Sequence, residues 1–238
     1  MGIKKWIKKV VRGHLATSED FVDYLRNKGV SIGENTVFIN PKKTGIDVTR
    51  PWMIKIGKNC MITAHVTILT HDYGLRVLKG VYGDVMGHVD KVEIGDNVYI
   101  GMHTTVVAGT KIGNNVIIGA NSLVSKDIPD NCVAAGVPAR VICTLEEYYT
   151  KRKATFVKEA QQLAKMYYDA YHKLPPKEVF YEHFWLFSNG QDPLIPDYEV
   201  MNRQTYGEPG IVEKRFREHE KVFASYEEFI QSCHLGEE

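Results

Sequence analysis

Proton transfer is the chemistry this sequence is best equipped to perform. Nine histidines are spread along 238 residues, and an imidazole with an unperturbed pKa of roughly 6.5 can take a proton from an attacking hydroxyl at neutral pH. His71 is the foremost candidate, because Asp72 follows it and both fall where a regular pattern stops. His65, His88 and His103 lie in the same region. Covalent catalysis is disfavoured: there is no Gly-x-Ser-x-Gly elbow, and no cysteine occupies a catalytic motif. Cys60, Cys132, Cys143 and Cys233 lack Cys-x-x-Cys or Cys/His ligand spacing, so reduced thiols are expected, with neither a zinc module nor a disulfide framework. Thirty Lys+Arg against 29 Asp+Glu leave a formal charge of +1. Nothing therefore draws the chain to nucleic acid, and an anionic ligand must be met by a local cluster of cations.

The elements that position these residues are written in a six-residue period. From Ile94 the chain reads IGDNVY, IGMHTT, VVAGTK, IGNNVI, IGANSL and VSKDIP, with Ile94, Ile100, Val106, Ile112, Ile118 and Val124 in the first slot. The fifth slot holds Val98, Thr104, Thr110, Val116, Ser122 and Ile128, and glycine recurs in the second. Copies return upstream at Ile32, Ile56, Ile62 and Ile68. An inward aliphatic every six residues, with Gly where the chain bends, predicts short strands wound into a solenoid whose coils lie about 4.8 Å apart. A sandwich would alternate with period two instead. The pattern breaks between Asn40 and Met53 and between Tyr73 and Lys91, where loops leave the coil and function is expected. Asp72 takes a fifth slot that is otherwise small or apolar and cannot point inwards cheaply, so the wall should open there. His65 and His103 share the fourth slot and are expected on turns at one side of the solenoid.

Flanking segments read as helical. In residues 1–13, Ile3, Trp6, Ile7, Val10 and Val11 recur at helical spacing among Lys4, Lys5, Lys8, Lys9 and Arg12. Such a basic amphipathic helix either packs on the protein or lies on an anionic membrane surface. Thr144 and Glu147 form a capping box for a helix running towards Pro175; a second helix is expected over Glu178 to Phe187, a loop over Ser188 to Gly210, and helices again from Ile211 and after Ser225. Tyr181 and Trp185 are read as core. The expected organisation is an N-terminal helical segment at 1–29, a β-helix at 30–143 and an α-helical extension at 144–238. With no membrane-length apolar run and no apolar signal region after the N-terminal lysines, the chain is expected in the cytoplasm.

The six-residue pattern resembles the hexapeptide-repeat acyltransferases, and IGANSLVSKDIPDNCVAAGVPARVI at residues 118–142 is similar to the acetyl-CoA end of the sugar O-acetyltransferases of the galactoside and maltose type. Residues 144–187 look like extensions seen in acetyltransferases of surface-polysaccharide gene clusters. The resemblance implies a mainly β fold, a left-handed parallel β-helix of 18 residues per coil, and a homotrimer with a CoA groove between subunits. It implies acetyl-CoA as co-substrate, no metal, and transfer to a sugar or glycan acceptor, nucleotide- or lipid-linked, in a ternary complex. His71 matches the family's catalytic base. Tyr99, Gly101, Met102, Gly119, Ala120, Ser125, Lys126 and Arg140 match its CoA-binding positions, Tyr99 standing where Trp is usual. Asn40 and Asp47, with Asp72 and His88, are the acceptor-site candidates. An N-acetyltransferase of a nucleotide-linked amino sugar is the alternative; a γ-type carbonic anhydrase or a non-catalytic β-helix subunit are remote ones.

Overall fold

Two- and three-residue strands are what a period with one inward aliphatic per six residues can build, and the computed structural model, which describes residues 13–203 and 210–236, consists of them from Ser31 to Thr144. Strands β1 (Ser31–Ile32), β2 (Val37–Phe38) and β3 (Gly45–Ile46) make a first circuit, and β4 (Ile54–Ile56), β5 (Met61–Ile62) and β6 (Thr67–Ile68) a second. The antiparallel pair β7 (His71–Asp72) and β8 (His88–Val89) follows, with helix α2 (Arg76–Tyr82) between its strands. A third circuit comprises β9 (Val92–Ile94), β10 (Val98–Ile100) and β11 (Thr105–Val106), and a fourth β12 (Thr110–Ile112), β13 (Val116–Ile118) and β14 (Leu123–Val124). The chain thus visits three parallel sheets in turn, ordered β1-β4-β9-β12, β2-β5-β10-β13 and β3-β6-β11-β14. The middle one is extended by β15 (Cys132–Ala135) and, antiparallel, by β16 (Arg140–Thr144). Register obeys the repeat, with Tyr99 on Ile117 and Thr105 on Leu123, each 18 residues on.

Burial explains why two slots in six are apolar or small. First-slot aliphatics from Ile56 to Val124 and the fifth-slot residues from Val98 to Ile128 are buried in one continuous core, each large aliphatic contributing about 1.5–3 kcal/mol. The second-slot glycines have a different reason from the expected bend. A Cβ on Gly33 would stand 2.4 Å from the backbone nitrogen of Lys58 and 2.5 Å from the carbonyl carbon of Gly57, so adjacent circuits leave no room for a side chain. The bend itself falls on the fourth slot, where Asn35, Asn59, His65, Asn97, His103, Asn115 and Asn121 have positive φ. Asparagine tolerates that conformation best among residues with a Cβ, and here its amides also pair from circuit to circuit, as in Asn97 to Asn115 at 2.9 Å.

Helix α1 (Ser18–Lys28), within the helical segment expected at 1–29, caps the first circuit. Phe21, Val22 and Leu25 join the core, the Phe21 ring meeting Phe38 edge-on at 5.0 Å. Its polar side chains satisfy the open strand end: the Phe38 N–H donates to Ser18 Oγ at 2.9 Å, and Arg26 donates to the Ile32 carbonyl. An edge that would otherwise recruit another strand is thereby closed. The amphipathic helix expected at 1–13 lies outside the described residues except for Gly13, which opens a 3-10 turn.

The chain divides into two compact units, Met1–Tyr148 and Tyr149–Glu238. The second has its own core, built from Ala160 and Ala164 of α3 (Leu145–Tyr171) with Phe180, Phe184, Phe187, Tyr198, Phe216 and Phe229. Thr144 and Glu147 exchange the bonds of a capping box at the start of α3. The single helix expected over Glu178 to Phe187 is two 3-10 turns, Lys177–Phe180 and Phe184–Leu186, because its aromatics point into the core from successive short turns. The expected loop contains α4 (Pro196–Arg203), begun by a proline that needs no donor in a first turn and by Asp197 and Glu199 near the helix's positive end. Helices α5 (Ile211–Glu218) and α6 (Tyr226–Gln231) complete the unit, α6 capped by Ser225. Trp185 stacks on His219, but Tyr181 is 46% exposed and is not core. No helix among the described residues is long and apolar enough to cross a membrane.

Close stacking of circuits predicts opposite outcomes for two glycines. Gly33→Ala should destabilise the protein by about 1–3 kcal/mol, the usual range for overpacking. Gly80→Ala, in α2 with nothing within 4 Å of the new methyl, should stabilise by about 0.5–1 kcal/mol through helix propensity. Thermal denaturation of the two variants checks the pair; equal melting temperatures would mean the circuits are not so tightly apposed.

Candidate active site

His71 opens β7, immediately after Thr70, and the two breaks in the repeat meet there. The first break brings Asp47 beside it: Asp47 Oδ2 lies 2.5 Å from His71 Nδ1. The same oxygen accepts from the Thr70 N–H at 3.1 Å and from Thr70 Oγ1 at 2.5 Å, while Oδ1 accepts from the Thr49 N–H at 3.0 Å and from Thr49 Oγ1 at 2.6 Å. Burial, with the side chain only 3% exposed, pushes the Asp47 pKa up, but hydrogen bonds from Thr49, Thr70 and His71 more than reverse this and hold the carboxyl well below the usual carboxylate range. An ionised Asp47 can only accept, so Nδ1 carries the proton of a neutral His71 and the lone pair resides on Nε2. Five hydrogen bonds occupy both oxygens of Asp47, and the one to Nδ1 fixes the orientation of the His71 ring.

The second break walls a cleft over this pair. His71 pairs with Val89 across the β7–β8 ladder and Asp72 with His88, and the Asp90 N–H holds the far end of the loop on the Thr70 carbonyl at 3.0 Å. His71, Asp72, Tyr73 and His88 line the cleft, with Leu75 and Met86 among its apolar walls and with Arg50, Arg76 and Lys79. The three cations went unnoticed in the sequence; two lie inside the loop after His71, and only the fold brings Arg50 from the other break. Asp72 faces outward, as its slot required, and accepts the Gly74 N–H at 2.7 Å in a turn. Asn40 does not line the cleft; it precedes the 3-10 turn Pro41–Lys43 and its carbonyl accepts from Thr44 Oγ1. His65 and His103 stack ring on ring at 4.4 Å on adjacent turns, and burial, His103 and Lys43 all hold the His65 pKa down.

The residues matched to a CoA site lie on later circuits. Tyr99 is 40% and Met102 46% exposed, on and just after β10. Gly101 and Gly119 are glycines for packing: a Cβ on Gly101 would lie 2.5 Å from the Ala120 nitrogen, and one on Gly119 2.7 Å from Ala135 Cβ. Their N–H groups donate to Ile118 and Ala134, and the Met102 carbonyl accepts from Asn121. Among the described residues Ala120 keeps both backbone groups unbonded, as a pantetheine amide would require. Ser125, Lys126 and Arg140 are exposed, and neither cation forms an ion pair among the described residues. Those groups fit an anionic nucleotide with a two-amide arm. No cluster of three His, Cys, Asp or Glu with metal-binding geometry occurs among the described residues.

A carboxylate-oriented imidazole in a cleft, set on a six-residue repeat, is an arrangement suited to moving a proton in group transfer. The family described as bacterial transferase hexapeptide (six repeats) matches residues 91–126. Protein CapG of Staphylococcus aureus is 33% identical over 149 residues, covering 63% of this chain and 83% of its own. The galactoside O-acetyltransferase of Escherichia coli K12 is 35% identical over 143 residues, covering 58% of this chain and 68% of its own. Among solved structures, a maltose O-acetyltransferase from Clostridium difficile 630 is 31% identical, with coverage of 59% and 84% and a TM-score of 0.37. The chain belongs to the hexapeptide-repeat acetyltransferases.

The depressed pKa of Asp47 sets a pH dependence. A carboxyl with a lowered folded-state pKa contributes stability that is present above the unfolded value of about 4 and is lost as pH falls towards the folded value. The stability difference between wild type and Asp47→Asn should therefore be largest above about pH 5 and shrink steadily down to about pH 2. Urea denaturation across that range checks it; a pH-independent difference would mean Asp47 is not an ionised acceptor.

Proposed function

We propose that this protein is an acetyl-CoA-dependent O-acetyltransferase acting on a sugar hydroxyl. The Asp47–His71 pair carries the reading, because a neutral imidazole held by a buried carboxylate is a poised general base. Acetyl-CoA supplies the acetyl group as a thioester. His71 Nε2 takes the acceptor's hydroxyl proton as that oxygen attacks the acetyl carbonyl, and returns it to the departing thiolate, so the imidazole ends neutral. Asp47 stabilises the transient imidazolium and keeps the ring from turning. An acyl-enzyme is unnecessary: Cys60, Cys132 and Cys233 are buried, and burial pushes each thiol pKa up.

In this reading residues 30–143 form a left-handed parallel β-helix as the catalytic domain, preceded by a helical segment at 1–29 and followed by the extension at 144–238. Lys126 and Arg140 hold the phosphates of CoA, Ser125, Met102 and Ala120 serve the pantetheine arm, and Tyr99 flanks it. The active unit is a homotrimer whose CoA groove lies between subunits, a reading supported by exposed Val137, Val141 and Ile142 beside these residues. The resemblance of residues 144–187 to extensions in surface-polysaccharide acetyltransferases favours a capsule or O-antigen glycan as acceptor. The place of work is then the cytoplasm, at the inner membrane face if residues 1–13 bind anionic lipid.

Two kinds of variant should separate base from CoA site. His71→Ala is expected to lower kcat by about 10² to 10⁴ fold with acetyl-CoA affinity retained. Lys126→Ala and Arg140→Ala should each weaken acetyl-CoA binding by about 1–3 kcal/mol. Steady-state kinetics and calorimetry measure both; a near-normal kcat in His71→Ala would reject the assignment. Mild base releases an acetyl ester and spares an amide, so its action on the product decides between O- and N-acetylation.

Light scattering should return about three times the chain mass of 27.0 kDa. A stable, active monomer would refute the shared groove.

A further inference from the structure

The cleft over His71 has an unbalanced charge. Arg50 reaches it from the first break, and Arg76 and Lys79 line it from α2, where a spacing of three sets them on one face. Arg50, Arg76 and Lys79 form no ion pair among the described residues. The single carboxylate in the lining, Asp72, is engaged by the Gly74 N–H. Asp47 is spoken for by His71, Thr49 and Thr70. Leu75, Val85, Met86 and Val89 supply apolar surface beside these cations. In a chain whose formal charge is only +1, three cations without an ion-pair partner among the described residues stand around one imidazole and outnumber the Asp72 carboxylate in the lining, a local feature that a neutral sugar would not use.

We propose that the acceptor bears an acidic group, carboxylate or phosphate, close to the hydroxyl that is acetylated, and that Arg50, Arg76 and Lys79 bind it. The proposal rests on the acetyltransferase reading and on His71 as its base. Forked guanidinium donors suit either oxyanion, so a uronic acid and a sugar phosphate are the two sources to distinguish.

The test compares kcat/KM, with acetyl-CoA as donor, for methyl glucoside, methyl glucuronide and glucose 1-phosphate, with products identified by mass spectrometry. Wild type should favour at least one acidic sugar over the neutral one by about tenfold or more, and the preference should fall as salt is raised. Which acidic sugar is preferred names the source. In Arg76→Gln/Lys79→Gln and in Arg50→Gln, checked for folding by circular dichroism, the acidic-to-neutral ratio should drop towards one. Equal use of neutral and acidic sugars by wild type would overturn the inference and leave the acetyltransferase reading standing. An unchanged ratio in the variants with a raised KM for acetyl-CoA would also overturn it, by assigning the cations to the CoA phosphates. Failure to acetylate any sugar while acetyl-CoA still binds would reject both.

Discussion

Backbone of one circuit rests directly on backbone of the next, and that close approach sets almost everything else. Neighbouring strands at hydrogen-bonding distance admit no side chain at the second slot, which is why Gly33, Gly101 and Gly119 recur in phase with the aliphatics. They also force the turn onto the fourth slot, where Asn accepts a left-handed backbone and its amide bonds to the Asn of the adjacent circuit. Once those two slots are committed, the first and fifth have only the interior to fill, and the core becomes a column of Ile, Val and small residues. A single inserted residue would shift every slot at once. Additions therefore enter between strands, at the corners of a circuit, as in the 3-10 turn Pro41–Lys43 and the loop between β7 and β8.

Both loops of this protein do enter there, and together they make the His71 cleft. The first delivers Asp47 and the second begins at His71, so imidazole and orienting carboxylate come from neighbouring circuits joined by β3 and β6. Thr70, fully buried, bonds Asp47 through both its hydroxyl and its N–H and receives the Asp90 N–H on its carbonyl. One rigid residue thus fixes carboxylate, histidine and loop exit. Preorganisation of this kind lets a hydrogen-bonded imidazole act as a base without first searching for its orientation.

Charge is distributed with the same economy. Along the coil, Lys55, Glu93 and Lys111 alternate in sign on paired strands. Positive side chains gather at the His71 cleft in Arg50, Arg76 and Lys79, and Lys126 and Arg140 are exposed on later parts of the chain. A chain of formal charge +1 can thus present two basic sites without a general affinity for polyanions.

The repeat was legible in the sequence because each slot is set by its own local environment, identical from circuit to circuit. Burial of Ile94 to Val124, the outward turn of Asp72 and the placing of His65 and His103 on turns at one side all followed from slot position alone. The family was legible for the same reason, since its motif is the repeat itself together with residues 118–142. The packing of helix α1 was not, because its place is decided by Phe38 and the open strand end it covers. Nor was the role of Asp47, separated from His71 by 24 positions, or the convergence of Arg50 with Arg76 and Lys79. Local pattern determines which residues face inward; which outward residues meet depends on loop paths that carry no period, and those only the folded chain brings together.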